Sequence, residues 1–137
     1  MRRFYQQGVI KVGNITLFNY GGHKIRIIKE ETGEPWFVAA DICRCLELAI
    51  NKRTGKPNVT VATRDLDDDQ KRKYRIDTPE NPKNPWIDMM ILSEQGMYKM
   101  LRISDSIEVQ RFKQHVQREV MPGFSEASMT AKFASQG

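Results

Sequence analysis

The stretch Gly33-Glu-Pro-Trp-Phe-Val-Ala-Ala-Asp-Ile-Cys-Arg-Cys-Leu-Glu-Leu48 contains a change from strand to helix. Residues 36–38 are aromatic or β-branched, and such bulky side chains pack well on a pleated surface. From Ala39 onward good helix formers follow, with Asp41 in the first turn, where free N–H groups and the helix dipole favour a carboxylate. Apolar residues then recur at helical spacing, which predicts that one face of this short helix packs on the sheet.

Further strands are predicted on both sides of this step. The predicted strands cover 9–18, 23–29, 36–38, 59–66, 71–76 and 86–91. The segment 59–66 is also compatible with an extended edge. Turn-forming residues at 19–22 and 31–33 join the first three strands into an antiparallel meander. Arg26 lies between two isoleucines and is expected to face outward.

Two helices are predicted near the C-terminus. Ser93 has the sequence context of an N-cap for the first, and Asp105 for the second, with Glu108 three residues later as in a capping box. Pro122-Gly123 is expected to end the second helix. The apolar stripes of the two helices are formed by Met97, Met100, Leu101, Val109, Phe112, Val116 and Val120. The predicted fold class is therefore α+β: an antiparallel sheet of hairpins, one short helix after the Trp-Phe-Val strand, and a C-terminal helix pair.

Composition limits the class of protein. A chain of 137 residues, 39% of them hydrophobic, is sufficient for one domain with a modest core. The sequence has neither a run of about 18 apolar residues nor a signal peptide. Cys43 and Cys45 are one residue apart on one helix, which disfavours a disulfide between them. A reduced, cytoplasmic setting is predicted.

The sequence contains no pattern typical of catalysis or of cofactor binding. The two histidines are far apart: His23 is expected to be exposed, and His115 to be a half-buried packing residue. The acidic run 65–69 resembles a calcium loop but has Gln70 where glycine is required. No cofactor and no enzymatic activity are predicted. An enzyme would require a pocket in which His115 or Cys43 meets a carboxylate.

The charge distribution indicates a polyanionic partner. The net charge is +5, and the segment 50–75 holds eight Lys or Arg residues against four Asp. Asn51 can contact a base edge or cap the preceding helix, and capping is favoured. The alternative is that the basic strand is an ordinary solvated face. The candidate nucleic-acid-binding residues are Asn51, Lys52, Arg53, Lys56, Arg64, Lys71, Arg72, Lys73 and Arg75. The aromatic residues Trp36, Phe37, Trp86 and Phe112 lie in apolar patterns and are predicted to be core.

Three sequence blocks in order resemble one known family. They are Ile25-Arg26-Ile27 with the Gly33 to Cys43 stretch, Ile91 to Leu101 ending at Ser104, and Phe112 to Pro122. Together they are similar to the N-terminal domain of BRO-family proteins, also found in prophage antirepressors. The resemblance divides the chain into a segment with the first strand, a Bro-N-like domain and a flexible tail, at 1–17, 18–122 and 123–137.

The resemblance implies a phage or viral regulator without enzymatic activity. Family members are associated with DNA binding in insect viruses and with antirepressor activity in phages. We therefore expect binding of duplex DNA through the 50–75 segment. The alternative is a protein-binding module that docks on a repressor or a host factor, for which exposed Met89, Met90 or Met97 would be suitable. A homodimer is compatible with either function. The chain departs from the family pattern at His115, usually Trp, and at Asp105, usually Arg.

Overall fold

The computed structural model describes residues 15–124, which form a five-stranded antiparallel sheet with helices. The spatial strand order is β1-β2-β3-β5-β4, so β1 and β4 are the edge strands. The strands are β1 Ile15–Tyr20, β2 His23–Lys29, β3 Pro35–Val38, β4 Lys71–Asp77 and β5 Trp86–Leu92. The helices are α1 Ala39–Leu46, α2 Val59–Ala62, α3 Glu94–Leu101 and α4 Ile107–His115. The predicted α+β class is confirmed.

The first three strands form the predicted meander. Gly21 and Gly22 have φ of 57° and 84°, a conformation that glycine adopts without steric penalty, and they close the β1–β2 hairpin where Tyr20 pairs with His23. The β3 strand lies on the other side of β2, with Ile28 opposite Trp36. The β4 and β5 strands form a second antiparallel hairpin, and β5 pairs with β3.

The predicted change from strand to helix is confirmed at Ala39. Ile42 and Cys43 on α1 are fully buried, so the helix packs into the core as its spacing predicts. The helix ends at Leu46, followed by the C-cap Glu47, whose φ of 56° is left-handed, and Ala49 has a similar φ of 52°. These two residues turn the chain sharply away from the helix axis.

The prediction of a strand or extended edge at 59–66 is wrong. Residues Val59–Ala62 form the short helix α2, and turns follow it. The Asn58 side chain accepts a hydrogen bond from the Val61 N–H at 3.2 Å, which is an N-cap contact. At the other end, the Thr63 hydroxyl donates to the Val59 carbonyl at 2.8 Å. These side-chain contacts close a helical turn in a β-branched segment.

The core lies on both faces of the sheet. The larger cluster packs α1, α3 and α4 on one face, and the smaller one lies on the other face around Ile28, Val38 and Ile91. The four aromatic residues that were predicted to lie in the core differ in their burial. Phe37 and Phe112 are fully buried, whereas Trp36 is half-buried. The prediction for Trp86 is wrong, since 45% of it is exposed at the loop end of the β4–β5 hairpin, where it pairs with Asp77.

The C-terminal helix pair is confirmed, with two corrections at its ends. Ser93 caps α3 as predicted, accepting from the Gly96 N–H at 3.1 Å. The second N-cap is Ser106, whose hydroxyl accepts from Val109 N–H at 3.2 Å, and the prediction of Asp105 is wrong. An aspartate and a serine are both good caps, so their sequence does not decide between adjacent positions.

The second helix does not end at Pro122-Gly123, contrary to prediction. It continues through a π-type segment, Val116–Val120, to residue 124, so the joined helix has 18 residues. Met121 N–H bonds to the carbonyl of Val116, five residues earlier. This wide turn precedes a residue that has no N–H, and it accommodates the proline within the helix. Residues 123 and 124 of the predicted tail are thus helical, and the rest of the tail and the segment 1–14 lie outside the described residues.

Candidate nucleic-acid interface

Four of the predicted site residues lie in one closed loop, 51–56, which we call the basic loop. Ile50 and Pro57 form an isolated antiparallel bridge at its base. Within it, Asn51 N–H donates to the Lys56 carbonyl at 2.8 Å, and Gly55 N–H donates to the Asn51 carbonyl at 2.7 Å. The loop is therefore a hydrogen-bonded hairpin with defined ends. The exposed cations it carries are Lys52, Arg53 and Lys56.

Asn51 organises this loop from within. Its Oδ1 accepts hydrogen bonds from the N–H groups of Arg53 at 2.8 Å and Thr54 at 3.2 Å, which is an Asx turn. The prediction that Asn51 caps the preceding helix is wrong, because α1 ends at Leu46 and its C-cap is Glu47. The Asn51 carboxamide thus holds the backbone from which the cations project. Its oxygen is already used, and only its NH₂ group can reach a base edge.

The four cations of β4 lie on opposite faces of the sheet, because side chains alternate along a strand. Lys71 Nζ donates to the Thr63 carbonyl at 2.9 Å, on the face that also carries Lys73. Arg72 projects to the other face, where it pairs with Glu30 and lies 4.5 Å from the Trp36 ring centroid. Lys71 and Arg72 therefore have partners within the domain, whereas Lys73 is exposed.

Arg75 forms a stack that the sequence did not reveal. Its guanidinium carbon lies 3.5 Å from the centroid of Trp86, and its Nε donates to Asp88 Oδ1 at 3.3 Å. Because β4 and β5 pair in antiparallel register, with Arg75 opposite Asp88, the strands bring these groups together. The result is an exposed, ordered guanidinium–indole surface. The available sequence signal was the position of Trp86 directly after a segment with three prolines.

Arg64 and the acidic run lie between α2 and β4. Arg64 is exposed in the turn that follows Thr63, beside the carbonyl that accepts from Lys71. The run 67–69 forms a solvated turn, in which the Gln70 side chain accepts from Asp67 N–H at 3.0 Å. Over residues 15–124, no group of three or more His, Cys, Asp or Glu side chains is arranged to hold a metal ion.

A partly buried ion pair anchors α1 on β2. The Arg26 guanidinium donates to both oxygens of Asp41, each at 2.8 Å, and the Arg26 backbone N–H donates to Oδ2 at 3.0 Å. The prediction that Arg26 faces outward is therefore wrong. The hydrogen bonds that Arg26 donates to Asp41 raise the pKa of Arg26 above its ordinary value, although partial burial opposes this. This contact fixes the helix relative to the sheet.

Cys43 and His115, the two side chains that an enzymatic site would require, lie in packing positions. Cys43 is fully buried, with its sulfur 3.9 Å from the sulfur of Met100, and burial raises its pKa to about 11. Such a thiol is protonated at neutral pH and is a poor nucleophile. The centroid of the His115 ring lies 5.0 Å from that of Tyr20 and 6.1 Å from that of Phe18, so His115 is a half-buried packing residue, as predicted.

No helix in the described part of the chain, 15–124, is long and apolar enough to cross a membrane. Met97 is fully buried, so it is unavailable to a docking partner, whereas Met89 and Met90 are half-buried.

Comparison with known proteins identifies the domain. No curated protein and no solved structure matches the chain. The sequence profile of the BRO family, N-terminal domain (Bro-N), matches residues 24–122, which is well over half of the chain. The match includes α1, the basic loop, the β4–β5 hairpin and both C-terminal helices. The chain therefore belongs to the BRO family and carries its Bro-N domain, a generally non-catalytic domain found in phage antirepressors and viral BRO proteins.

Proposed function

We propose that this Bro-N domain is a non-enzymatic, antirepressor-type regulator of phage or viral origin that binds duplex DNA. The observation that carries the proposal is the basic loop, in which three exposed cations project from a hydrogen-bonded hairpin. Cations in such a loop can reach successive phosphates. Neutralising phosphates releases counterions, which gives affinity that does not depend on base sequence.

The geometry of the loop favours binding to a regular phosphate backbone. The Asx turn at Asn51 and the bridge at its base hold the loop backbone before any ligand arrives. Less conformational entropy is then lost on binding than for cations on an unstructured segment. Only the three loop side chains need to be ordered by the DNA.

The proposed interface is smaller than the whole basic segment. Arg64 and Lys73 are exposed, and Arg75 is held on Trp86, so these residues can add phosphate contacts. Lys71 and Arg72 would first have to leave Thr63 and Glu30, which opposes their use. We therefore assign the main contribution to the loop.

The first test is fluorescence anisotropy with a labelled duplex of random sequence. The triple variant Lys52→Ala/Arg53→Ala/Lys56→Ala is expected to bind at least about tenfold more weakly than the unaltered protein. The matched control Lys24→Ala/Lys29→Ala/Lys83→Ala removes the same charge from exposed positions outside the loop. It should lose less than about threefold. Equal losses in both variants, or no binding at low salt, would overturn the proposal.

Neighbouring residues on β4 offer a second comparison. Lys73→Ala should weaken DNA binding with little change in stability, because the side chain is exposed. Arg72→Ala should leave DNA affinity nearly unchanged but lower the free energy of unfolding, because it loses both Glu30 and Trp36. Anisotropy and urea denaturation of the two variants measure these effects. The reverse pattern would show that Arg72, not Lys73, faces the DNA.

A second candidate function is docking on a repressor or host factor. It is favoured by the loop end of the β4–β5 hairpin, where Trp86 and Ile87 are each 45% exposed and Arg75 stacks on Trp86. Tryptophan and arginine are enriched among the residues that dominate protein–protein binding energy. Docking there should be much less sensitive to salt than DNA binding, and Trp86→Ala should abolish it. A protein partner whose complex with this domain persists at moderate salt would favour this function, provided that the domain does not bind DNA.

A further inference from the structure

A shallow groove lies between the C-terminal helix and the end of β1, far along the chain from the basic segment. Its volume is about 300 Å³. One lining residue, Tyr20, comes from the last position of β1, and the others lie on α4 and its π-type continuation. The lining residues are Tyr20, Arg111, Gln114, His115, Arg118 and Glu119.

The groove brings together several hydrogen-bond donors. Arg111 and Arg118 each carry five N–H donors, Gln114 carries an amide, and Tyr20 carries a hydroxyl. Within residues 15–124, neither arginine makes an ion pair, and none of these four side chains donates a hydrogen bond to a protein acceptor. Glu119 is the one carboxylate among the lining residues. The two guanidinium groups therefore leave one positive charge in excess.

The base of the groove is held by aromatic packing. The Tyr20 ring meets Phe112 edge-on at 5.2 Å, and Phe112 is fully buried. His115 is tilted against Tyr20 at 5.0 Å. Because these rings belong to the core contact between β1 and α4, the base of the groove keeps its shape without a ligand. Arg118 projects from the π-type segment Val116–Val120, a helix variant that is frequent at functional sites.

We propose that this groove binds a phosphate group. A tetrahedral oxyanion can accept hydrogen bonds from both planar guanidinium forks at once, and such charge-assisted contacts are the strongest that side chains make. The Gln114 amide and the Tyr20 hydroxyl, which also line the groove, add neutral donors. The groove is open, so it admits a free phosphate monoester or a phosphodiester of a nucleic acid. The inference does not depend on DNA binding by the basic loop.

The test uses inorganic phosphate as the probe and NMR as the readout. Phosphate is titrated into the ¹⁵N-labelled protein at constant ionic strength, with sodium chloride as the compensating salt. The Nε resonances of Arg111 and Arg118 and the ring signals of His115 should shift and saturate in the millimolar range. Shifts that do not saturate, or that chloride alone reproduces, would overturn the proposal.

Variants locate the site. Arg111→Gln/Arg118→Gln should weaken phosphate binding at least tenfold, and both positions are exposed, so the fold should persist. The triple loop variant Lys52→Ala/Arg53→Ala/Lys56→Ala, which removes one more positive charge than the groove variant, is the control and should bind phosphate as the unaltered protein does. If the two variants respond equally, the groove is not the site.

A final comparison distinguishes the sources of the phosphate. A nucleoside 5′-monophosphate and a short duplex DNA are each added to the loop variant, whose groove is unaltered. Shifts of the groove resonances with duplex DNA identify a phosphodiester ligand, and shifts with the monophosphate alone identify a small phosphorylated ligand. If neither compound shifts them, the proposal fails, whether or not the basic loop binds DNA.

Discussion

Arg26 and Asp41 show how one side-chain pair determines where a helix leaves a sheet. Asp41 is 5% exposed and Arg26 28%, so the pair is largely shielded from water. The carboxylate accepts from the backbone and the side chain of the same β2 residue. Removing one member of such a pair leaves the other with an unsatisfied charge, which costs more than the loss of a surface contact.

We expect Asp41→Asn to lower the free energy of unfolding by about 2 kcal/mol, because the Arg26 charge loses its counterion in a partly buried site. Urea denaturation monitored by circular dichroism measures this change. The control is Asp88→Asn, which removes a carboxylate from the exposed pair with Arg75 and should change stability by less than about 0.5 kcal/mol. Equal effects would contradict the anchoring role of Asp41.

Cys43 makes the stability of the domain sensitive to high pH. Burial raises the pKa of its thiol to about 11 from an ordinary value of 9.0. Between these values the unfolded chain has lost the proton and the folded domain retains it, so the free energy of unfolding falls as pH rises. A loss of roughly 2 kcal/mol is expected across this range from Cys43 alone.

Cys43→Ala should remove this part of the pH dependence, as measured by urea denaturation at pH 8 to 11. The unaltered protein and the variant share the effect of Tyr98, whose pKa is also raised, chiefly by burial. The difference between the two slopes of unfolding free energy against pH therefore measures the contribution of the Cys43 thiol. Identical slopes would show that Cys43 titrates normally in the folded domain.

At the scale of elements, helix α3 docks on the turn before β4 through Gly96. A Cβ built at this position would lie well inside van der Waals contact with the Gln70 carbonyl oxygen. That same carbonyl accepts from Ser93 N–H at 3.0 Å, just before the helix begins. The absence of a side chain at Gly96 thus allows the close approach of helix and turn, and moving Gln70 aside would break the Ser93 bond.

Gly96→Ala should therefore destabilise the domain by about 2 kcal/mol, although alanine is the better helix former by about 1 kcal/mol. Gly123 provides the control, because it also lies in a helical segment and a Cβ there meets nothing within 4 Å. Gly123→Ala should be neutral or slightly stabilising. Thermal or urea denaturation distinguishes the two, and a stable Gly96→Ala protein would contradict the close packing.

Across the whole molecule, local chemistry predicted most elements of the fold. The meander, the helix at Ala39, the Ser93 cap and the buried stripes of α3 and α4 all follow from short-range patterns. The errors at 59–66 and at Pro122 arose where a side-chain cap or a π-type turn overrode residue propensity. Neither feature has a strong sequence signal.

The candidate site was predictable as a charged segment but not as a surface. The basic loop was recognised from its composition, and the structure groups its cations in one hairpin. By contrast, Lys71 and Arg72 have partners at Thr63 and Glu30, which only the folded chain brings near. The Arg75–Trp86 stack and the Arg26–Asp41 pair were missed for the same reason: tertiary neighbours are not visible in a single sequence.

Contact between the basic loop and DNA phosphates makes the affinity depend on salt, so a salt series measures that contact. The dissociation constant of a random duplex is measured across a series of sodium chloride concentrations, for the unaltered protein, the triple loop variant and the Lys24/Lys29/Lys83 control. Each phosphate contact contributes about 0.9 to the slope of log affinity against log salt, so the loop variant should have a slope smaller by about 2 to 3. The control variant should keep the slope of the unaltered protein. An unchanged slope in the loop variant, or equal reductions in both variants, would show that the basic loop does not contact the phosphates.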